Sequence, residues 1–367
     1  MSASRKRPGS PQVDEAPTKR PAKLVEVVPD GDVLLAVGRG DDALKIRVSG
    51  TVISLASGVF SRMLSSSFTE GRSREIELRE DVPEAVLDFC NIAHHKAENV
   101  DHCDGSRLVK LVEFADARFC VKALRPWLSA RLAGIIEEFK GYDRNMTPMN
   151  HNWISPEDDS LELTMEQCMS VAAVFKLNDL FWFATKHFLL LQGRRSTSPT
   201  LPSFAESALG SRVHSFKERF EKESMLQSRQ FFDGILECVG RDFDAGAVDA
   251  SAMETRSCSF AKFSAIMFYL AKKGIKPGED WAYKKSISRA MLDVQSLCIT
   301  EPWSTVLERT ECNASPASPC LFCRRDIVGD LLEVVEWYMK ETCGACLLCY
   351  NSGSEDYFHA THRHEGH

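Results

Sequence analysis

Six cysteines and four histidines crowd the last 56 residues: CNASPASPCLFC at 312–323, CGACLLC at 343–349 and HATHRHEGH at 359–367. A Cys-x-x-Cys step lets two thiolates reach one tetrahedral zinc ion, and 19 residues between Cys323 and Cys343 is a spacing zinc proteins use. The candidate ligands are Cys320, Cys323, Cys343, Cys346, Cys349, His359 and His362. Two groupings follow. Cys343, Cys346 and Cys349 join a histidine, or Cys320 and Cys323 join Cys312 and a distant ligand. A closed site of either kind is structural, with no open position for catalysis. Thiols without metal remain the alternative.

The spacer RRDIVGDLLEVVEWYMKET bears on which cysteines meet, because Ile327, Val328, Leu331, Leu332, Val335 and Tyr338 fall at helical spacing. The pattern predicts a helix from Asp326 to Lys340, about 22 Å long at 1.5 Å per residue. Two cysteine pairs at its ends share a metal only if the chain folds back at both.

Enzymatic chemistry finds little footing elsewhere. A Cys/His hydrolase needs a nucleophile, an orienting base and an oxyanion hole on a rigid scaffold. Here Cys and His cluster only near the C-terminus. No phosphate-binding GxxxxGK[ST], no GxGxxG and no HExxH occurs. Cys168, Cys238, Cys258 and Cys298 sit among apolar residues and read as core. The sequence is expected to describe a protein that is not an enzyme.

Composition narrows the class further. The 367 residues are 44 % apolar and 26 % charged, as in an ordinary soluble protein. The longest apolar stretch, FSAIMFYLA at 263–271, stops at Lys272 and Lys273, short of a membrane span. Thirteen cysteines without an apolar leader fit a reducing cytosolic or nuclear compartment. The net charge is −7, yet the first 23 residues carry six Lys and Arg against two Asp and Glu. So acidic a body is not expected to bind nucleic acid, which requires basic surface for counterion release.

Residues 1–23, MSASRKRPGSPQVDEAPTKRPAK, combine prolines with small polar residues and read as a disordered basic tail. Its clusters at Arg5, Lys6, Arg7 and at Lys19, Arg20 have the form of a bipartite nuclear-import signal, which predicts a nuclear protein also present in the cytoplasm. DVLLAVG at 32–38 and ALKIRVS at 43–49 read as strands around a GRGDD turn, where Gly and Asp supply turn chemistry. Turn chemistry also accounts for the RGD triplet at 39–41, in place of an adhesion motif.

After the hairpin, Val52, Leu55, Ala56, Val59, Phe60 and Met63 recur at helical spacing behind Thr51, a candidate N-cap, and predict a packed helix. REIELRE at 74–80 alternates like a strand. DVPEAVLDFCNIAHH opens a helix on Pro83. Two helices follow, with Leu108, Leu111, Val112, Ala115 and Phe119 on one stripe and Leu124, Trp127, Leu128 and Leu132 on the next.

This order, and the segments GDVLLAVG, KIRVSGTVISLASGVFSRMLSSSFTEG, IELREDVPEAVLDFCNIAHHK and LVKLVEFADARFCVKALRPWLSARL, resemble a BTB/POZ domain, with wording closest to the fungal BTB proteins. The resemblance covers roughly 31–135. Ser49 stands where animal members usually carry a His, and no long exchanged helix precedes the first strand.

The fold class implied is α+β, a BTB/POZ domain of small sheet and packed helices followed by a mainly α-helical region. The divisions expected are 24–135 for that domain, 136–192 for a helical extension, 193–210 for a linker, 211–342 for further helices and 343–367 for the Cys/His-rich end. Within the extension, Thr164 is a candidate cap and Asn178-Asp179 a break; Phe175, Phe181, Trp182, Phe183 and Phe188 read as core. Four or five helices are expected over 211–310.

The family makes interfaces rather than chemistry. The resemblance implies a protein–protein interaction module, in one version a substrate adaptor for a cullin-type ubiquitin ligase. Such adaptors offer a hydrophobic-x-acidic step after this helix, which Phe68-Thr69-Glu70 matches. In the other version the chain is a nuclear scaffold or transcription co-regulator. Partners are other proteins, a cullin or a second copy, and no membrane; the only cofactor in view is structural zinc.

Overall fold

The structure, a computed structural model, describes residues 23–100, 104–145, 163–191, 199–244 and 327–359, with eight single positions between 269 and 294. The architecture is mixed α and β, mostly helical with a small mixed sheet. The described residues form two compact units, one of 23–100 with 113–124, the other of 104–112 with those from 125 onward.

In the first unit, strands β1 (Lys23–Glu26), β2 (Val33–Val37), β3 (Leu44–Val48) and β4 (Glu75–Leu78) form a sheet in the order β1-β3-β2-β4. β2 and β3 are the expected hairpin, antiparallel, with Val33 opposite Val48. Gly38 and Gly40 turn it with φ of 78° and 69°, a region closed to most side chains. β1 and β4 pair in parallel with β3 and β2. Alternation along β2 buries Val33, Leu35 and Val37, and Ile46, Val48, Ile76 and Leu78 join them.

The single helix expected after the hairpin is two: α1 (Gly50–Ala56) and α2 (Gly58–Met63). Ser57 divides them. Its hydroxyl oxygen accepts the Val59 and Phe60 N–H groups and donates to the Arg118 carbonyl, so a small polar residue caps one helix from inside the core. The α1 cap is likewise not Thr51. Asp32 Oδ1 accepts the Gly50 N–H at 2.7 Å. Of the apolar stripe only Phe60 is fully buried, whereas Leu55 is 85 % exposed; Ile53, off that stripe, faces the core.

Helices α3 (Thr69–Ser73) and α4 (Pro83–Ala93) follow, the latter with Pro83 in its first turn. Next come α5 (Gly105–Ala117) and α6 (Val121–Asn145), which runs past the boundary placed at 135. Phe60, Phe89 and Phe114 form the aromatic centre, with ring centroids 5.4 to 6.4 Å apart. Phe119, expected on the buried α5 stripe, is instead 77 % exposed with φ 50°, because the chain reverses there between helices.

The second unit contains α7 (Met165–Phe175) and α8 (Asn178–Leu191). Thr164 is the cap expected, and its capping box with Gln167 satisfies two backbone N–H groups reciprocally. The break falls at Lys176, which takes φ 54°, and Asn178 opens the next helix. The aromatic residues of this pair are all buried. Helices α9 (Ser203–Leu209), α10 (Val213–Asp244) and α11 (Ile327–Glu341) follow, the last within a residue of the range read from periodicity at either end. Strand β5 (Gly344–Ala345), α12 (Leu347–Asn351) and strand β6 (Phe358–His359) complete the described part.

Phe216 on α10 is the hub of this unit, within 6.2 Å of Phe181, Phe220, Tyr350 and Tyr357 by ring centroids. Apart from the eight positions between 269 and 294, the helices expected up to 310 lie outside the described residues beyond Asp244, as do Cys258, Cys298 and residues 193–198 of the expected 193–210 linker, whose later part instead holds α9. No described helix is long and apolar enough to cross a membrane.

Candidate functional site

Phe68 and Glu70 occupy a short surface step in the first unit. The run Ser65–Phe68 turns back on itself through the Phe68 N–H to Ser65 carbonyl bond of 3.1 Å, and α3 then starts with Phe68 at its N-cap. Gly71 makes the turn tight enough: a Cβ there would collide with the Ser65 carbonyl. Phe68 is 50 % exposed rather than closing the core. Glu70 lies two residues on, partly exposed in the first turn of α3, where a carboxylate suits the helix dipole. Arg74 ends α3 with φ 56° and reaches the Asp32 carboxylate.

The second cluster lies at the C-terminal end of the other unit. β5 and β6 pair antiparallel, with Gly344 opposite His359 and Ala345 opposite Phe358. This ribbon is anchored on α8. Ala345 N–H donates to Thr185 Oγ1 at 2.8 Å, and Trp182 Nε1–H donates to the His359 carbonyl at 2.9 Å. Gly344 lies so close to the Trp182 carbonyl that a side chain would not fit. Asn178 Oδ1 accepts the Leu347 N–H at 2.8 Å.

These contacts bring three of the sequence-predicted ligands together. Cys349 Sγ lies 3.3 Å from His359 Nε2, and Cys346 Sγ accepts the Cys349 N–H at 3.4 Å. The Cys346 sulfur also stands 3.4 Å from Asn178 Oδ1. Among the described residues no three His, Cys, Asp or Glu side chains converge tightly enough to form a metal centre as they stand. Cys343 faces elsewhere, its thiol donating to the Glu341 carbonyl at 3.5 Å. Cys312, Cys320, Cys323 and His362 lie outside the described residues, as do Arg5, Lys6, Arg7, Lys19 and Arg20.

Five of the described cysteine thiols are poor nucleophiles. Burial pushes Cys120 and Cys168 up to about 12 and Cys90 higher still. Burial, then nearby acidic side chains led by Glu223, holds Cys343 at about 11; burial, then the contact with Cys346, takes Cys349 to about the same value. None is thiolate at neutral pH. Cys168 and Cys238 are buried, as their apolar neighbours implied. A groove of about 590 Å³ at the hairpin turn is open and charged, lined by Arg39, Asp41, Lys45, Glu77 and Arg79. It presents ion-pairing groups without a nucleophile.

No protein-family model matches the chain, and no curated protein or solved structure proved similar to it.

Proposed function

We propose that the chain is a non-enzymatic interaction module of the BTB/POZ kind, and that it acts as a substrate adaptor by presenting Phe68 and Glu70 to a cullin of a ubiquitin ligase. The observation that carries the reading is the 50 % exposure of Phe68 at the N-cap of α3, with a carboxylate two residues on in the first turn. An aromatic ring held out from a rigid turn is an anchor for an apolar pocket, and the carboxylate suits a hydrogen bond at its rim. The order of strands, split helix, returning strand and helices in the first unit supports the same reading.

The basic clusters at Arg5, Lys6, Arg7 and at Lys19, Arg20 favour a nuclear place of work. Should the cullin be the wrong partner, that tail favours a nuclear scaffold or co-regulator. The C-terminal cysteines and histidines serve this reading as a structural zinc site rather than a catalytic one.

Calorimetric titration of the full chain with a cullin N-terminal domain tests the proposal. Micromolar or tighter binding, about −8 kcal/mol, is expected, weakened at least about tenfold by Phe68→Ala or Glu70→Ala. No binding, or binding indifferent to both substitutions, discards the adaptor reading.

A further inference from the structure

We propose that Cys346, Cys349 and His359 bind one zinc ion that fastens the β5–β6 ribbon to the start of α12. The inference rests on the structural-zinc reading above and is independent of the role given to Phe68 and Glu70.

The sequence offers several pairings of its C-terminal cysteines; the backbone selects among them. Cys346 is the N-cap of α12 and Cys349 lies one turn into it, so the Cys-x-x-Cys step is wound around a helix start. The Cys349 N–H donates to the Cys346 sulfur, a bond that serves a metal-bound thiolate better than a neutral thiol, since charge strengthens it. The ribbon then returns His359 opposite Gly344, two residues before Cys346, and sets its Nε2 3.3 Å from the Cys349 sulfur.

That separation is close to what zinc requires. With Zn–S about 2.3 Å and Zn–N about 2.0–2.1 Å, two donors of a tetrahedral site stand about 3.6 Å apart. A thiol–imidazole hydrogen bond has a similar length and is the alternative to be separated by experiment. Completing the site requires the Cys346 sulfur to leave Asn178 Oδ1 and turn to the metal. The oxygen keeps its bonds to the Leu347 and Leu348 N–H groups, so only a weak sulfur contact is given up. On binding, each cysteine releases its proton. Two thiolates and a neutral imidazole then balance the dication, which suits a step where Cys346 is buried. Cys343, bonded to the Glu341 carbonyl, is left out.

The test is the zinc content and zinc K-edge absorption of the full-length chain produced in zinc-supplemented medium. We expect one zinc per chain with two sulfur neighbours at about 2.3 Å, the His359 nitrogen at about 2.0–2.1 Å and one further nitrogen or oxygen donor closing the tetrahedron. Cys346→Ser, Cys349→Ser and His359→Ala each lower zinc affinity at least about tenfold, and Cys343→Ser leaves it unchanged. Zinc with four sulfur neighbours, indifferent to His359→Ala, overturns the assignment while keeping a structural zinc on other cysteines. A chain purified without zinc, and taking up none on titration, overturns both. The absorption measurement needs no variant, so a misfolded substitution does not blunt it.

Discussion

His94 Nε2 accepts the backbone N–H of Ser49 at 3.2 Å, tying the end of α4 to the first turn of α1 across 45 positions. His94 Nδ1 lies 2.7 Å from the Cys90 carbonyl, to which only a protonated nitrogen can donate, so the ring is neutral with its proton on Nδ1. A second proton would fall on Nε2, against an N–H.

Burial, then the positive charges of Lys96 and His95, lowers the His94 pKa below its ordinary 6.5 despite the opposing bond to Cys90. The folded state therefore binds fewer protons than the unfolded one. Its stability contribution is full above 6.5 and is lost as pH falls through the lowered value. Urea denaturation at about pH 7.5 and about pH 5.5 should show a lower midpoint in acid, with a smaller drop in His94→Gln. Equal drops in both chains would remove His94 as the cause.

Asp32 caps the same helix from another segment. Asp32→Ala should cost about 1 kcal/mol, the loss of an N-cap, whereas Asp32→Asn keeps the acceptor and costs less. The exposed ion pair with Arg74 contributes little by comparison. If Asn is as damaging as Ala in equilibrium unfolding, the ion pair rather than the cap is the stabilising contact.

Much of this fold can be read from local pattern, and the exceptions have a common physical cause. Gly and Asp mark the β2–β3 turn, Thr164 and Gln167 mark the start of α7, and apolar spacing outlines α11, because each signal lies within one turn of the element it sets. Periodicity reports which residues share a stripe, not what covers it. Leu55 and Phe119 therefore look buried and are exposed. The Asp32 cap, the division at Ser57 and the parallel pairing of β1 with β3 depend on residues distant in sequence. The same holds for the cysteines. Spacing alone treats Cys343, Cys346 and Cys349 alike, and the ribbon pairing of Gly344 with His359 separates them.

Phe119 combines a left-handed backbone with an exposed ring, so little packing offsets its strain. Asn tolerates that conformation far better. Phe119→Asn should raise stability by about 0.5–1 kcal/mol, read from the denaturation midpoint. A loss instead would mean that the ring holds a contact worth more than the strain.

Asn178 Oδ1 accepts two N–H groups from α12, a segment about 170 residues away. Asn178→Ala strands both and should destabilise by about 2 kcal/mol, with faster hydrogen exchange over 344–351. Asn178→Asp retains the acceptor and should spare that segment. Uniform exchange change across both units would contradict a local role.

Thr185, fully buried on α8, gives its hydroxyl proton to the Phe181 and Trp182 carbonyls and receives the Ala345 N–H. That last partner is 160 residues downstream. At roughly 5–20 residues per second, a ribosome takes on the order of ten seconds to deliver it. Throughout that interval the nascent chain holds Trp182 and its apolar neighbours without the strand that closes over them. Chaperone occupancy on stalled nascent chains should therefore persist until the ribbon has emerged.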